Sequence, residues 1–395
     1  MLRYITPMAL NPFVWDRPLL DPTKIVGMDG FARHVALTLK ASTNVAIFGA
    51  RDTGKSSFLT VLERELGRKQ EAGAPPYVTV RVELKRALSI PAFISCVNDA
   101  LRDHPHQPVR RAAARELEVL ERELGFDLKL LKGSVRRGSR QSTEIGEMLH
   151  AQLRSLSRLA SHVVVCFDEF QRLNRCPGEP LAIIGSALLG AASGNVSLLL
   201  TGSIREYLEM MLSNSREPLF NQATKMRLPA IGRAEFHEFL AFQFEATDRS
   251  ITERALEHLL AITDSHPKRT QQLAWATWQR GARRRLELDH VQDAFEELMD
   301  DQQADFAVIE ETLANGEEAE ATERKALYLL ADHAGEGLSS PTFAERYGLG
   351  ARTTARNAMP RLARRGLVEH ARGDRWRIID PFLAEWLRRN SPFGD

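Results

Sequence analysis

Residues Gly49-Ala50-Arg51-Asp52-Thr53-Gly54-Lys55-Ser56 have the spacing G-x-x-x-x-G-K-S. They lie between the apolar run Val45-Ala46-Ile47-Phe48 and a helical pattern that begins near Ser57. The glycines let the backbone wrap a polyanion, and the following helix aims its unpaired N–H groups and positive dipole end at the same point. In that context Lys55 reaches β- and γ-phosphates, and Ser56 offers its hydroxyl to Mg²⁺. The strand–loop–helix order predicts an α/β fold: a P-loop parallel sheet with helices on both faces. Its expected ligands are ATP or ADP and Mg²⁺.

Hydrolysis needs a carboxylate for the metal and a base for water. Val163-Val164-Val165-Cys166-Phe167 reads as a fully buried strand, short and rich in β-branched residues, and it ends in Asp168-Glu169. Asp168 is expected beside the Mg²⁺, with Glu169 polarising the attacking water. A third apolar run, Val196 to Leu200, ends in Thr201-Gly202-Ser203. A hydroxyl there either senses the γ-phosphate, with Ser203 preferred over Thr201, or caps the next helix.

Together these residues resemble the AAA+/STAND-like P-loop ATPases of the archaeal-ATPase type, relatives of the origin-recognition initiator ATPases. The resemblance rests on Asn11-Pro12-Phe13 and Arg17-Pro18 ahead of Ile25-Val26-Gly27, on the phosphate loop, on Phe167-Asp168-Glu169-Phe170-Gln171, and on Thr201-Gly202-Ser203. A last segment, Thr263-Asp264-Ser265-His266-Pro267 followed by Gln271-Gln272-Leu273, is similar to the family's lid motif. The resemblance implies that Val26 and Gly27 contact adenine and that His266 and Pro267 close over the base or ribose. Gly49 through Ser57 then hold the phosphates, and Lys268 or Arg269 is the lid cation. Met28 stands where the family usually has Arg, and Ser265 where it usually has Gly. Such ATPases supply an arginine to a neighbour's γ-phosphate, which implies a homo-oligomer. Arg216, before Glu217-Pro218-Leu219-Phe220, is the first candidate and Arg205 the second.

The ATPase base is expected over residues 1–230, with strands at 77–84 and, at its close, 225–229. A helical lid is expected over 231–315, with helices at 234–245, 252–263, 269–280 and 291–312. The stretch 310–323 holds six carboxylates and neither Lys nor Arg, and reads as a solvated linker or helix break. Residues 320–395 carry helices at 322–333, 341–347 and 352–365, two short strands around Ala371-Arg372-Gly373-Asp374, and an amphipathic helix at 381–389. That is the pattern of a winged helix.

Formal net charge is only +1, so any affinity for nucleic acid must come from a local patch. The helix at 352–365 provides one, with Arg352, Arg356 and Arg361 and no acidic residue, and Arg372 and Arg375 add charge in the wing. Duplex DNA is the expected partner through phosphate and guanine contacts. The alternative is a signalling ATPase whose winged helix docks a protein partner in stress or defence regulation. The three cysteines lack metal-ligand spacing, and Cys166 sits within an apolar strand. With no run of about 18 apolar residues and no leader-like start, the expected location is the cytoplasm, away from membrane.

Overall fold

The computed structural model describes residues 10–67, 77–124, 139–158, 160–176, 180–191, 195–203, 205–281, 285–314, 318–333, 346–349, 352–371 and 375–393. The chain divides into two compact units. One comprises residues 29–49 and 58–229, and the other residues 1–28, 50–57 and 230–395.

The first unit is built on a parallel sheet of β1 (Val45–Phe48), β2 (Tyr77–Glu83), β3 (His162–Asp168), β4 (Val196–Gly202) and β5 (Thr224–Arg227), in the order β2-β3-β4-β1-β5. Its helices are α1 (Asp29–Lys40), the body of α2 (Lys55–Gly67), α3 (Ile90–Arg102), α4 (Gln107–Leu124), α5 (Ser139–Leu156), α6 (Pro180–Ala191) and α7 (Arg205–Ser213). Every residue of β1, β3 and β4 is buried, which is why these strands read as unbroken apolar runs rather than alternating ones. Alternate residues Val163, Val165, Phe167, Leu198 and Leu200 join Phe93, Leu149 and Ile184 in one apolar cluster. Phe93 stacks on Phe167 with ring centroids 5.6 Å apart. β5 is one of the sheet's two edge strands, and its exposed Lys225 disfavours further pairing there.

The strand order brings the C-terminal ends of β1, β4 and β3 to one rim of the sheet, where open α/β sheets take ligands. Phe48 is in register with Gly202, and the Gly49 N–H donates to the Gly202 carbonyl at 3.3 Å. The start of the phosphate loop is thereby pinned beside the end of β4.

The second unit is largely helical: α8 (Arg233–Glu245), α9 (Glu253–Thr263), α10 (Pro267–Arg280), α11 (Leu288–Ala314), α12 (Glu318–His333), α13 (Arg352–Arg364) and α14 (Pro381–Arg389). Thr252, His266 and Asp380 cap α9, α10 and α14 by accepting backbone N–H groups, and Pro follows the cap in the last two. A two-residue parallel pair, β6 (Ser250–Ile251) with β7 (Arg285–Leu286), accompanies the helices and is too short for sequence periodicity to reveal. Most of the acidic stretch is helical, lying in the last turn of α11 and the first turns of α12. β8 (Val368–His370) and β9 (Trp376–Ile378) pair antiparallel, as a hairpin wing requires. The helix expected at 341–347 lies mostly outside the described residues. α14 buries Phe382, Leu383, Trp386 and Leu387 and packs on α11 as well as α12, with Phe382 edge-on to Phe295 at 5.1 Å. No helix among the described residues is long and apolar enough to cross a membrane.

Candidate functional site

The phosphate loop turns through two left-handed residues, Asp52 at φ +62° and Gly54 at φ +90°. Asp is one of the few L-residues that visit this region, and Gly does so without steric cost. Thr53 Oγ1 and Lys55 Nζ both donate to the Ala50 carbonyl, at 2.7 and 2.6 Å. Lys55 is buried at the first position of α2, with Ser56 next to it. Ser57 accepts the Leu19 N–H at 3.0 Å, so its hydroxyl anchors the segment leading into the loop. That segment also runs along α10: Asn11 donates to the Trp275 carbonyl at 3.1 Å and Gln271 accepts the Val14 N–H at 3.3 Å. Val26 precedes a tight turn at Gly27, φ +70°, where a Cβ would come 2.9 Å from Glu235 Oε2. The left-handed backbone there favours glycine.

The first turn of α10 distributes its polar residues in three directions. His266 Nδ1 accepts the Arg269 N–H, while its Nε2 is buried and makes no hydrogen bond. Burial holds the imidazole down at about 4, so it is neutral at pH 7 and Nε2 carries the proton. Lys268 Nζ donates to Asp52 Oδ2 at 2.9 Å. Burial raises the Asp52 carboxyl, but the hydrogen bond and charge of Lys268, with Arg51 and His266, outweigh it and leave the group below its ordinary value. Arg269 instead makes a fork to the Asp380 carboxylate, with Nε 2.8 Å from Oδ1, and also donates to Gln272 and Gln302. Of the two adjacent cations at the start of α10, Lys268 pairs with Asp52 of the phosphate loop and Arg269 with Asp380, the cap of α14.

In the first unit, the ends of β3 and β4 gather four candidate residues. Asp168 is 2% exposed and accepts the Thr201 hydroxyl at 2.5 Å. Arg81 Nη2 lies 3.7 Å from the other Asp168 oxygen. Glu169, at φ +64°, turns the chain sharply off the strand into a short 3₁₀ segment, Phe170–Arg175. Its Oε2 accepts from Ser203 Oγ at 2.8 Å and from Gln171 Nε2 at 2.6 Å, and Gln171 also donates to Ser203 at 2.9 Å. The choice between Thr201 and Ser203 therefore divides by partner: Thr201 orients Asp168, and Ser203 contacts Glu169. Cys166 lies one strand position behind this rim, and burial pushes its thiol so far up that it remains protonated.

Among the C-terminal arginines, the side chains of Arg352 and Arg356 and the whole of Arg372 lie outside the described residues, as does the Arg205 side chain. Arg361 lies against Glu323, Nε to Oε1 2.6 Å, and Arg365 reaches both Glu323 and Glu320. Arg375 and Arg216 are exposed. His237, Glu253 and Glu257 bring possible metal-ligand atoms within 4.8 Å of one another. These groups already pair internally: His237 is 2.9 Å from Glu253, and Arg233 holds Glu257.

The contacts of Arg81 and Gln171 with these candidate residues were not legible in the sequence. A charged residue within the alternating strand Tyr77-Val78-Thr79-Val80-Arg81-Val82 was the available signal for Arg81, because its register with Cys166 puts it on the Asp168 face. Nothing in the spacing alone marked Gln171 as a partner of Ser203.

No protein-family model and no curated protein sequence matches the chain. Among solved structures, the Walker-type ATPase of Pyrococcus abyssi is similar at a TM-score of 0.64 and 17% identity, over 94% of this chain and 99% of that one. The ORC2 protein of Aeropyrum pernix, solved as ADPNP-ADP complexes, is similar at a TM-score of 0.54 and 16% identity, over 91% and 92% of the two chains. At these identities the likeness is one of fold. The chain shares the fold of these two proteins, a parallel α/β sheet bearing a phosphate-binding loop, followed by a helical C-terminal part.

Proposed function

We propose that this chain is an ATP-binding and ATP-hydrolysing switch that grips duplex DNA through its C-terminal module. The observation that carries the nucleotide reading is the loop: two left-handed residues, then a buried Lys55 at the head of α2. Loop amides from Gly49 to Ser57 and Lys55 bind the phosphates. Val26 and Gly27 meet adenine, and the neutral His266 with Pro267 covers the base or ribose, Nε2 supplying a donor. The donor set suits Mg²⁺: the Ser56 hydroxyl and the Asp168 carboxylate are hard oxygen ligands, and Asp168 is already oriented by Thr201. Bound Mg²⁺ would neutralise phosphate charge. Glu169 accepts the proton of the attacking water, Ser203 reads the γ-phosphate, and Arg216 reaches a neighbour in a homo-oligomer. In this reading residues 1–230 form the ATPase base, 231–315 the lid and 320–395 a winged helix.

Arg352, Arg356, Arg372 and Arg375 are the proposed DNA contacts. The inward pairing of Arg361 removes it from that set and favours a second reading, in which the module docks a protein partner. Duplex binding by the full chain, measured with ATP, ADP or no nucleotide across a salt series, separates the two. Nucleotide-dependent binding that weakens steeply with salt supports the DNA reading. No binding in any nucleotide state overturns it in favour of the protein partner.

A further inference from the structure

Gln171 occupies an unusual position beside Glu169 and Ser203. It is 5% exposed, and its Nε2 donates to both Glu169 Oε2 and Ser203 Oγ. The amide orientation follows from the network, since an ionised carboxylate only accepts and the amide nitrogen must therefore face it. Ser203 donates to the same Oε2, so two donors converge on one oxygen of Glu169. No hydrogen bond from the described residues reaches the other oxygen, Oε1. Glu169 itself is in the left-handed region, and that turn brings residue 171 back beside the end of β4. Gly202 is part of the same fit: a Cβ there would come 2.7 Å from Gln171 Oε1 and 2.9 Å from Leu208 Cδ2.

Packing alone does not account for a glutamine here. Its Oε1 is buried without a hydrogen-bond partner, a cost that an apolar residue of the same shape would avoid. What an apolar residue could not do is bind Glu169 and Ser203 at once.

We propose that Gln171 is a positioning residue for ATP hydrolysis, locking Glu169 and Ser203 into one unit so that Glu169 Oε1 is held out to accept the proton of the attacking water. The inference rests on the hydrolytic reading above and adds to it the link between the base and the γ-phosphate hydroxyl. Gln171 acts through Glu169 and takes no proton itself. With Gln171 removed, Glu169 keeps one donor, Ser203, and its rotamer is no longer fixed from two sides.

The test is steady-state and single-turnover ATP hydrolysis by the full chain carrying Gln171→Met, which keeps the volume and removes the donors. The expected result is a fall in kcat of about tenfold or more with KM, ATP affinity and melting temperature little changed, because the interaction acts on the base rather than on substrate binding. A second measurement separates positioning from general loosening. In a Glu169→Gln background, Gln171→Met should have no further effect on residual turnover, since both act through one carboxylate. Unchanged kcat in Gln171→Met, or equal losses in the two backgrounds, overturns the inference. If the variant unfolds, Gln171→Glu, which keeps the shape but reverses the donors, is measured instead, and wild-type kcat there overturns it equally. A wild-type chain that binds ATP without hydrolysing it overturns the hydrolytic reading itself, an outcome distinct from active enzyme indifferent to Gln171.

Discussion

At the ends of β3 and β4, polar side chains from separate strands converge: Thr201 on Asp168, and Ser203 with Gln171 on Glu169. On α13 and the β8–β9 pair, arginines that a helical wheel points outward are in part drawn back. Arg361 and Arg365 meet Glu323, and Arg377 meets Glu369. The first arrangement follows from chain geometry, because adjacent parallel strands end side by side and their next residues must meet. For Arg361 and Arg365 the second depends on acidic residues of α12 some forty positions away in sequence, and no local pattern announces it. Strand-end chemistry is therefore readable from a motif, whereas the availability of a surface charge is not.

The largest expected effect breaks the first half of that comparison. Lys55→Ala should weaken ATP binding by about 100-fold or more, since it removes the cation that meets the phosphates and leaves only loop amides. Calorimetric titration checks this, and unchanged affinity would remove the phosphate loop from the site.

Glu323→Ala probes the second half. Glu323 is 1% exposed and faces two arginines that are themselves partly exposed, so its loss should cost about 1 kcal/mol. Denaturant unfolding followed by tryptophan fluorescence should show an earlier transition, and an unmoved transition would mean that the cluster carries no stability. Arg352→Ala with Arg356→Ala sharpens the contrast, because those two arginines share one face of the helix proposed to meet DNA. The pair should lower the salt slope of duplex binding by about two, whereas Arg361→Ala should leave the slope alone and lower stability instead. Equal slopes for all three variants would erase the distinction.

The smallest effect concerns pH. His266 is held at about 4, below the value of an unfolded histidine, so the unfolded chain binds more protons between those values. Its contribution to stability is whole above about pH 6.5 and is lost as pH falls toward 4. His266→Gln should flatten that acid limb, measurable as the difference in unfolding midpoint between pH 7 and pH 5.

Much of the architecture was legible for physical reasons. The runs 163–167 and 196–200, within β3 and β4, announce themselves because a parallel strand covered on both faces is mostly apolar. The helices at 253–263 and 381–389 carry caps and one apolar stripe, so their limits emerged within a residue or two. The β6–β7 pair was missed because two residues have no periodicity. The acidic stretch at 310–323, read as a solvated linker or helix break, spans the end of α11, the start of α12 and the undescribed residues between them, because solvated charge is equally at home on a helix end. At the site, Lys55, Asp168 and Glu169 were marked by motif. Lys268 could not be separated from Arg269, since adjacent cations look alike until Asp52 and Asp380, respectively 216 and 111 residues away, divide them.

Single-turnover hydrolysis of ATP with Mg²⁺ by the wild-type chain and by Glu169→Gln tests the central claim most directly. The account predicts slow but measurable turnover in the wild type and a loss of about 100-fold or more in the variant, with ATP still bound, because the metal carboxylate Asp168 remains while the base is gone. Equal turnover in the two proteins, or bound ATP that neither one hydrolyses, would contradict it.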